Sequence, residues 1–122
     1  MERIDEFRLD GNNFIYIDAS NIRKNDDFID LADSIKKIIA KYPDKSVYTI
    51  INIDGITFDT DTKQIFAECF EHHKQYVKYG AVIGLDGIKK IMFNGVVKCS
   101  GRENMHVCLS KEQAIAWLQQ QA

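Results

Sequence analysis

VYTIINIDGITFDTDT, residues 47–62, contains the longest apolar run of the chain and ends in an acidic turn rich in threonine. Within residues 47–53, only Thr49 and Asn52 interrupt a series of Val, Ile and Tyr. Such a run is typical of a central strand in a parallel sheet, which is buried on both faces. The turn that follows should lie outside the carboxyl end of this strand, where open α/β sheets place their sites. The sequence thus predicts a fold and the position of a site, but it does not indicate a reaction.

The composition is that of one globular domain. A chain of 122 residues, 45% of them hydrophobic, can bury a core without metals or disulfides. A formal charge of −2, from 18 acidic and 16 basic residues, argues against a nucleic-acid binder, which needs a basic face. There is no apolar segment of membrane-span length, and residues 1–5 lack the apolar core of a signal peptide, so we expect a cytoplasmic protein. Cys69, Cys99 and Cys108 show no paired metal-ligand spacing, and we expect reduced thiols, no metal and no cofactor.

A hairpin and a helix are predicted before the central strand. Residues 3–9 and 14–18 favour two strands, with a turn at Gly11, Asn12 and Asn13. A helix should follow, with Asn25, Asp26 and Asp27 as cap candidates and an end at Pro43. Its apolar stripe has helical spacing and consists of Phe28, Leu31, Ala32, Ile35, Ile38, Ile39 and Tyr42.

Helices and strands are predicted to alternate after the central strand. Asp61 and Gln64 resemble a capping box, and the second helix should carry one apolar face of Ile65, Phe66, Cys69, Phe70, His73 and Val77. Residues 81–85 predict a strand, residues 88–99 a third helix, and residues 105–109 the last strand. Ser110 and Gln113 form a second capping box for a closing helix with Ala114, Ile115, Trp117 and Leu118. We therefore expect a single α/β domain, with a mostly parallel sheet of about four to five strands and right-handed crossovers.

Three motifs that suggest chemistry have simpler explanations. Asp59 and Asp61 begin like a calcium loop, but the pattern fails at Lys63, so helix capping is favoured. Cys69 and His73 have the spacing of a metal pair, yet both fall on the apolar face of the second helix. The segment GLDG, residues 84–87, lacks the remaining features of a phosphate-binding loop, and a tight turn explains its glycines. No catalytic residue is predicted, and we expect no enzyme.

The segment NIDGITFDTDTK, residues 52–63, resembles the central turn of STAS domains, the fold of anti-sigma factor antagonists and of the cytoplasmic tails of sulfate transporters. The match is best in its Gly-Ile-Thr-Phe core, and the order of elements agrees over nearly the whole chain. The C-terminal part resembles the STAS-like subgroup related to CRAL-TRIO lipid-binding domains. It has a Gly-Arg pair at residues 101–102 and an Ala-x-x-Trp-Leu signature at residues 114–118. Members of that subgroup are mostly uncharacterised.

This resemblance implies a phosphoacceptor at Thr62, because antagonists are phosphorylated at the matching hydroxyl by a partner kinase. The chain departs from the pattern around this position. Thr60 and Asp61 replace the Asp and the first Ser, and Lys63 replaces the Gly. Asp61 would repel a phosphate on Thr62, so an ordinary role in the first helical turn is the alternative.

Three hypotheses follow for the function. The first is a regulatory module that binds another protein, either a regulator or a kinase, through a surface formed by Asp54, Gly55, Asp59, Thr60, Asp61, Gly84, Asp86 and Gly87. The second is a carrier or sensor for a lipid or other apolar small molecule, lined by Met92, Phe93 and Val97 of the wide third helix. The third is a homodimer through the same apolar residues. Protein binding predicts an exposed acidic turn and a solid core, whereas ligand binding predicts a cavity that reaches Phe93.

Overall fold

The computed structural model describes residues 3–56, 59–85 and 104–121. Within them the chain forms five strands and three helices. The strands are β1 (Ile4–Leu9), β2 (Asn12–Asp18), β3 (Val47–Asn52), β4 (Val77–Ile83) and β5 (Met105–Val107). The helices are α1 (Asn25–Ile39), α2 (Thr60–His73) and α3 (Lys111–Gln120).

The strands form one sheet in which the spatial order β1-β2-β3-β4-β5 equals the order along the chain. β1 pairs with β2 as an antiparallel hairpin, and the pairs β2–β3, β3–β4 and β4–β5 are parallel. The central strand β3 pairs Ile50 with Tyr16 on one side and with Ala81 on the other. This arrangement confirms the predicted mostly parallel α/β sheet.

β3 is buried along almost its whole length. Val47 and Ile50 are fully buried, and even Thr49 is only 2% exposed. Both faces of the strand are covered because α1 and α2 pack on one side of the sheet and α3 packs on the other. The prediction of a central strand from its continuous apolar run is therefore confirmed.

Two apolar layers enclose the sheet. The layer beneath α1 and α2 is aliphatic on the sheet side and both aliphatic and aromatic on the helix side. It includes Ile17, Ile51, Val82, Leu31, Phe28, Phe66 and Phe70. The layer beneath α3 includes Phe14, Tyr48, Ile50, Ala81, Ala114 and Leu118. Neighbouring residues of β3 alternate between the layers, as the period of two in a strand requires.

An aromatic row crosses the sheet on the α3 side. Phe7 of β1 stacks on Phe14 of β2 with ring centroids 5.3 Å apart, and Phe14 contacts Tyr48 of β3 at 5.2 Å. Tyr48 lies 6.4 Å from Tyr79 of β4, which meets Trp117 of α3 edge-on at 6.0 Å. Aromatic pairs of this kind contribute about 0.5–1.5 kcal/mol each beyond the burial of their area. The row thus joins four strands to the closing helix.

The hairpin turn differs from the sequence prediction by one position. Its two central residues are Asp10 and Gly11, which have φ angles of 52° and 81°. Positive φ at both central positions is typical of the type I′ turn that Asp-Gly favours in hairpins. Asn12 and Asn13, predicted as turn residues, instead pair with β1 as the first residues of β2.

Two helix boundaries also differ. α1 begins after Lys24, whose side chain makes no capping hydrogen bond, so the predicted cap Asn25 is the first residue of the helix. α2 ends at His73, and Val77, predicted on its apolar face, is fully buried as the first residue of β4. β4 consequently begins earlier than the predicted residues 81–85, and it ends at Ile83.

The helix predicted for residues 88–99 lies outside the described residues. The same is true of Asp86 and Gly87 and of the apolar residues Met92, Phe93 and Val97.

Candidate functional site

The loops after the parallel strands meet at the carboxyl edge of the sheet, where the N-termini of the three described helices also lie. Backbone hydrogen bonds tie these loops together. The amides of Ala19 and Asn21 donate to the carbonyl oxygens of Asn52 and Asp54, each at 2.8 Å, and the amide of Ile53 donates to a carbonyl of β4 at 3.0 Å. The loops after β2, β3 and β4 therefore form one connected edge.

Two glycines allow this close contact. Gly84 has φ +90°, and a Cβ atom there would lie 2.5 Å from the amide nitrogen of Asp54 and 2.8 Å from its Cα. Gly55 has φ +72°, and a Cβ there would overlap the side chain of Asn21. Both a left-handed backbone and the lack of a side chain are needed at these positions. The structure thus brings Asp54, Gly55 and Gly84, three residues of the predicted binding surface, into direct proximity.

Polar side chains fix the strand ends beneath the loops. The guanidinium of Arg3 donates to the carbonyl oxygens of Asp18 and Ser20 at 2.9 and 3.0 Å. The Asp18 carboxylate in turn accepts from the amide and the hydroxyl of Ser20. Asn52 Oδ1 accepts from the amide of Asp54 at 3.0 Å, which closes the turn after β3. These contacts link the ends of β2 and β3 to the loops that follow them.

Asp59 caps α2. One carboxylate oxygen, Oδ1, accepts from the amide of Thr62 at 2.8 Å and from its hydroxyl at 2.9 Å. Hydrogen bonds from Thr62 lower the pKa of Asp59, because they stabilise the ionised carboxylate. The expected capping role of Asp59 is confirmed. The predicted box of Asp61 and Gln64 is wrong, because the helix begins at Thr60 and Asp61 already lies in its first turn.

Thr62 is only 2% exposed. Its hydroxyl donates to Asp59 and also lies 3.4 Å from Oδ1 of Asn25 at the start of α1. The side chain thus joins the N-termini of α1 and α2. A kinase would reach this oxygen only after the first turn of α2 had opened, and phosphorylation of Thr62 stays a prediction.

The acidic turn around this cap is solvent-exposed. Asp54, Asp59, Thr60 and Asp61 all have exposed side chains, as the protein-binding hypothesis predicts. Cys69 and His73 of α2 lie apart from this surface, where they line the layer between the two helices. Within residues 3–56, 59–85 and 104–121, no group of three His, Cys, Asp or Glu side chains is placed to hold a metal ion.

Leu109 is a surface residue that the sequence analysis placed in a strand. β5 ends at Val107, and the side chain of Leu109 is 87% exposed in the loop that follows. Its amide donates to Oε1 of Gln113 at 2.6 Å, while Ser110 Oγ accepts from the amide of Gln113 at 3.1 Å. The predicted cap by Ser110 is therefore present, and the Gln113 side chain binds one residue earlier than a capping box would place it.

A weak signal for the exposure of Leu109 exists in the sequence. Neighbouring side chains of an extended segment point to opposite sides, so only one of Cys108 and Leu109 can enter the core. The structure buries Cys108, which is 4% exposed, and leaves Leu109 in solvent. Asp54, Gly55, Asp59, Thr60, Asp61, Gly84 and Leu109 are together called the carboxyl-edge surface below.

The apolar layer beneath α1 and α2 holds little free space. The cavity between α1, α2 and the sheet measures ≈ 20 Å³, which is about the space of one water molecule and far below that of a lipid. The cavity predicted to reach Phe93 involves residues outside the described part of the chain. None of the helices in the described part has the length and apolar character of a membrane span.

Comparisons with known proteins give a match at the level of structure. No family model matches the sequence, and no curated protein matches it. The fold is similar to the crystal structure of an uncharacterised protein of the DUF3478 family from Shewanella loihica PV-4, which has a SpoIIAA-like fold. The TM-score is 0.70 at 14% sequence identity, over 94% of this chain and 91% of that chain. The chain therefore has a SpoIIAA-like fold, which confirms the resemblance to STAS domains at the level of the fold.

Proposed function

We propose that this protein is a non-enzymatic interaction module of the STAS type that binds a protein partner through the carboxyl-edge surface. The observation that carries the proposal is the exposure of an acidic turn and of Leu109 on loops that are already fixed by internal hydrogen bonds. Preformed loops lose little conformational entropy on binding, which favours recognition of a partner by surface contact.

The topology favours a protein partner over a small molecule. In open parallel sheets, small ligands bind in the crevice where the strand order reverses and helices depart to opposite faces. The five described strands follow one another without reversal, and α1 and α2 both lie on one face. From β2 to β4 this edge is consequently a continuous rim, and such a rim suits a protein surface.

The carboxyl-edge surface combines one exposed apolar side chain with several acidic ones. Interfaces combine an apolar centre, which supplies most of the affinity, with a solvated polar rim. Leu109 offers the apolar group, and burial of a leucine side chain stabilises a complex by about 1.5–3 kcal/mol. Asp54, Asp59 and Asp61 supply negative charges that steer association with a basic partner.

Phosphorylation of Thr62 would act on this surface as an off-switch. A phosphate adds a charge of about −1.5 to −2. On Thr62 it would replace the hydroxyl that donates to Asp59, and it would stand beside Asp61. Like-charge repulsion would then open the first turn of α2 and rearrange the acidic turn. The kinase for Thr62 would be one partner of the module, and the protein released by modification would be another.

Affinity purification of the tagged protein from its own host tests the proposal. We expect one stoichiometric protein partner with the wild type, and a loss of at least tenfold in captured partner with Asp54→Lys and with Leu109→Ala, estimated from about 1.4 kcal/mol for each tenfold step. Glu71→Lys is the matched control, because it makes the same charge change at the other end of α2. Equal capture by all variants, or no stoichiometric partner at all, would refute the proposed surface. Denaturing mass spectrometry with peptide mapping of the same samples reports whether phosphate is present on Thr62.

A further inference from the structure

A second exposed apolar feature lies between the N-terminal halves of α1 and α2. The two helices leave an open groove of ≈ 340 Å³ on their outer side. Its lining residues are Asn25, Ile29, Asp61, Gln64, Ile65 and Glu68. Ile29 is 45% exposed, although the other face of α1 buries Phe28 and Leu31.

The floor of the groove is continuous with the core. Ile65 is half-buried and packs against the apolar layer beneath α1 and α2, so its position is fixed. Ile29 stands at the rim of the same groove, with Asn25 one turn before it at the contact with Thr62. The groove is therefore an open surface with two branched apolar side chains, of which Ile65 is held in place by the core.

The charges around the groove are mostly negative, although Lys36 of α1, at i+7 from Ile29, lies close enough to Cys69 of α2 to act on its pKa. Asp61 and Glu68 line it from α2, and both are exposed. On α1, Asp26 and Asp33 flank Ile29 at i−3 and i+4, which places them on the same side of the helix, and both are exposed. No lysine or arginine is among the six lining residues.

This excess of negative charge disfavours several occupants. A second copy in a two-fold dimer would place these carboxylates against their own copies. Nucleic acids and anionic membranes would be repelled in the same way. A basic segment with apolar anchors at helical spacing matches both the shape and the charge.

We infer that the groove between α1 and α2 docks a basic amphipathic helix of a protein partner, with Ile29 as the apolar contact. This inference rests on the proposed function, since it specifies the chemistry of the partner, and the groove joins the carboxyl-edge surface at Asp61. The larger open groove between β1 and α1 is lined by residues of both charges, among them Arg3, Glu6 and Arg23. Its charges therefore do not favour a basic or an acidic partner.

Two synthetic peptides test the inference directly. Each is about 18 residues long, which favours helix formation, and carries leucines at i, i+3, i+4, i+7 and i+11. One has lysines at the remaining positions and the other has glutamates. Binding is measured by NMR chemical-shift changes of the labelled protein and by titration of a fluorescent peptide at low and high salt. We expect the lysine peptide to bind with shifts centred on Ile29 and Ile65, and the glutamate peptide to bind at least about tenfold more weakly.

Variants then separate this groove from the carboxyl-edge surface. We expect Ile29→Ala and Glu68→Lys each to weaken the lysine peptide several-fold, while Glu71→Lys leaves its binding unchanged. Equal binding of the two peptides, or no binding of the lysine peptide at about 1 mM, overturns the inference. Loss with Leu109→Ala but not with Ile29→Ala also overturns it, because the peptide would then occupy the carboxyl-edge surface. Loss of peptide binding with Leu109→Ala alone would still support the proposed function. The proposed function itself would be refuted only if the affinity purification captured no partner or captured it equally with all variants.

Discussion

Substitution of Gly84 by Ala should destabilise the protein through the contact between the loops after β3 and β4. The residue has φ +90°, and a left-handed conformation costs an alanine about 1–2 kcal/mol relative to glycine. The added Cβ would also lie 2.5 Å from the amide nitrogen of Asp54 and 2.9 Å from its Cβ. Because backbone cannot rotate away as a side-chain tip can, relief of this overlap requires a loop shift that costs about 1–3 kcal/mol. We expect a total loss of about 2–5 kcal/mol in the free energy of unfolding.

Gly11 provides the matched control. Its φ is +81°, close to that of Gly84, but an added Cβ would meet no atom within 4 Å. Gly11→Ala therefore measures the conformational cost alone, and the difference between the two variants isolates the contact. Gly55→Ala should fall between them, since the overlap there is with the movable side chain of Asn21.

Urea unfolding followed by the fluorescence of Trp117 measures these differences. With an m-value of about 2 kcal/mol/M, the midpoint of Gly84→Ala should lie about 1–2.5 M below that of the wild type. The m-value itself should stay the same if the variant unfolds in one cooperative step. Our interpretation of the carboxyl edge is refuted if Gly84→Ala is no less stable than Gly11→Ala.

Three further predictions concern titratable groups. Hydrogen bonds to the start of α2 lower the pKa of Asp59. In unfolding experiments, the wild type should therefore be more stable than Asp59→Asn at neutral pH, and this difference should disappear as the pH falls below 3.8. Asp61→Asn is the control for these measurements. Burial, together with the hydrogen bond to Glu6, raises the pKa of Tyr42 to about 12. Its contribution to stability should therefore be complete below pH 10 and be lost as the pH rises towards 12, and ultraviolet titration of the Glu6→Gln variant should show an earlier ionisation. Burial raises the pKa of Cys69 to about 11, so iodoacetamide should alkylate this thiol slowly at pH 8, and fast alkylation in the folded protein would contradict its placement.

The sequence predicted those elements whose apolar period is unambiguous. The continuous run of β3 appears where it was expected, and the helical stripe of α1 does so from Phe28 to Ile39. α1 ends at Ile39, so Tyr42 lies beyond the helix that was predicted to reach Pro43. Ser110 was also correctly identified as a cap, because only one hydroxyl precedes the apolar positions of α3. In these cases the local preference and the tertiary packing favour the same structure.

The remaining errors fall at positions where the local sequence allows more than one helix cap or element boundary, and tertiary contacts determine which one forms. In the segment DTDT, residues 59–62, each residue could cap the helix by local preference. In the structure Asp59 is the cap, and Thr62, which binds it, also contacts Asn25 of α1. Val77 continues the helical spacing of α2, since no Gly or Pro intervenes, but pairing with Val47 in the sheet places it in β4. The exposure of Asp54, Asp59 and Asp61 agrees with the sequence prediction, and the binding role of this surface stays a prediction. Leu109 was missed because an apolar residue beside a strand is ordinarily expected to be buried.

The sequential order of the strands has a consequence for folding during synthesis. Each strand after β1 pairs with the strand that precedes it in the chain, so its partner has already left the ribosome when it emerges. No described strand has to insert between two others, and the sheet can grow in one direction from the β1–β2 hairpin. Until β4 arrives, however, β3 presents an apolar edge with Val47, Ile50 and Ile51. The nascent chain should therefore be most prone to aggregation after β3 has emerged and before β4 has covered that edge.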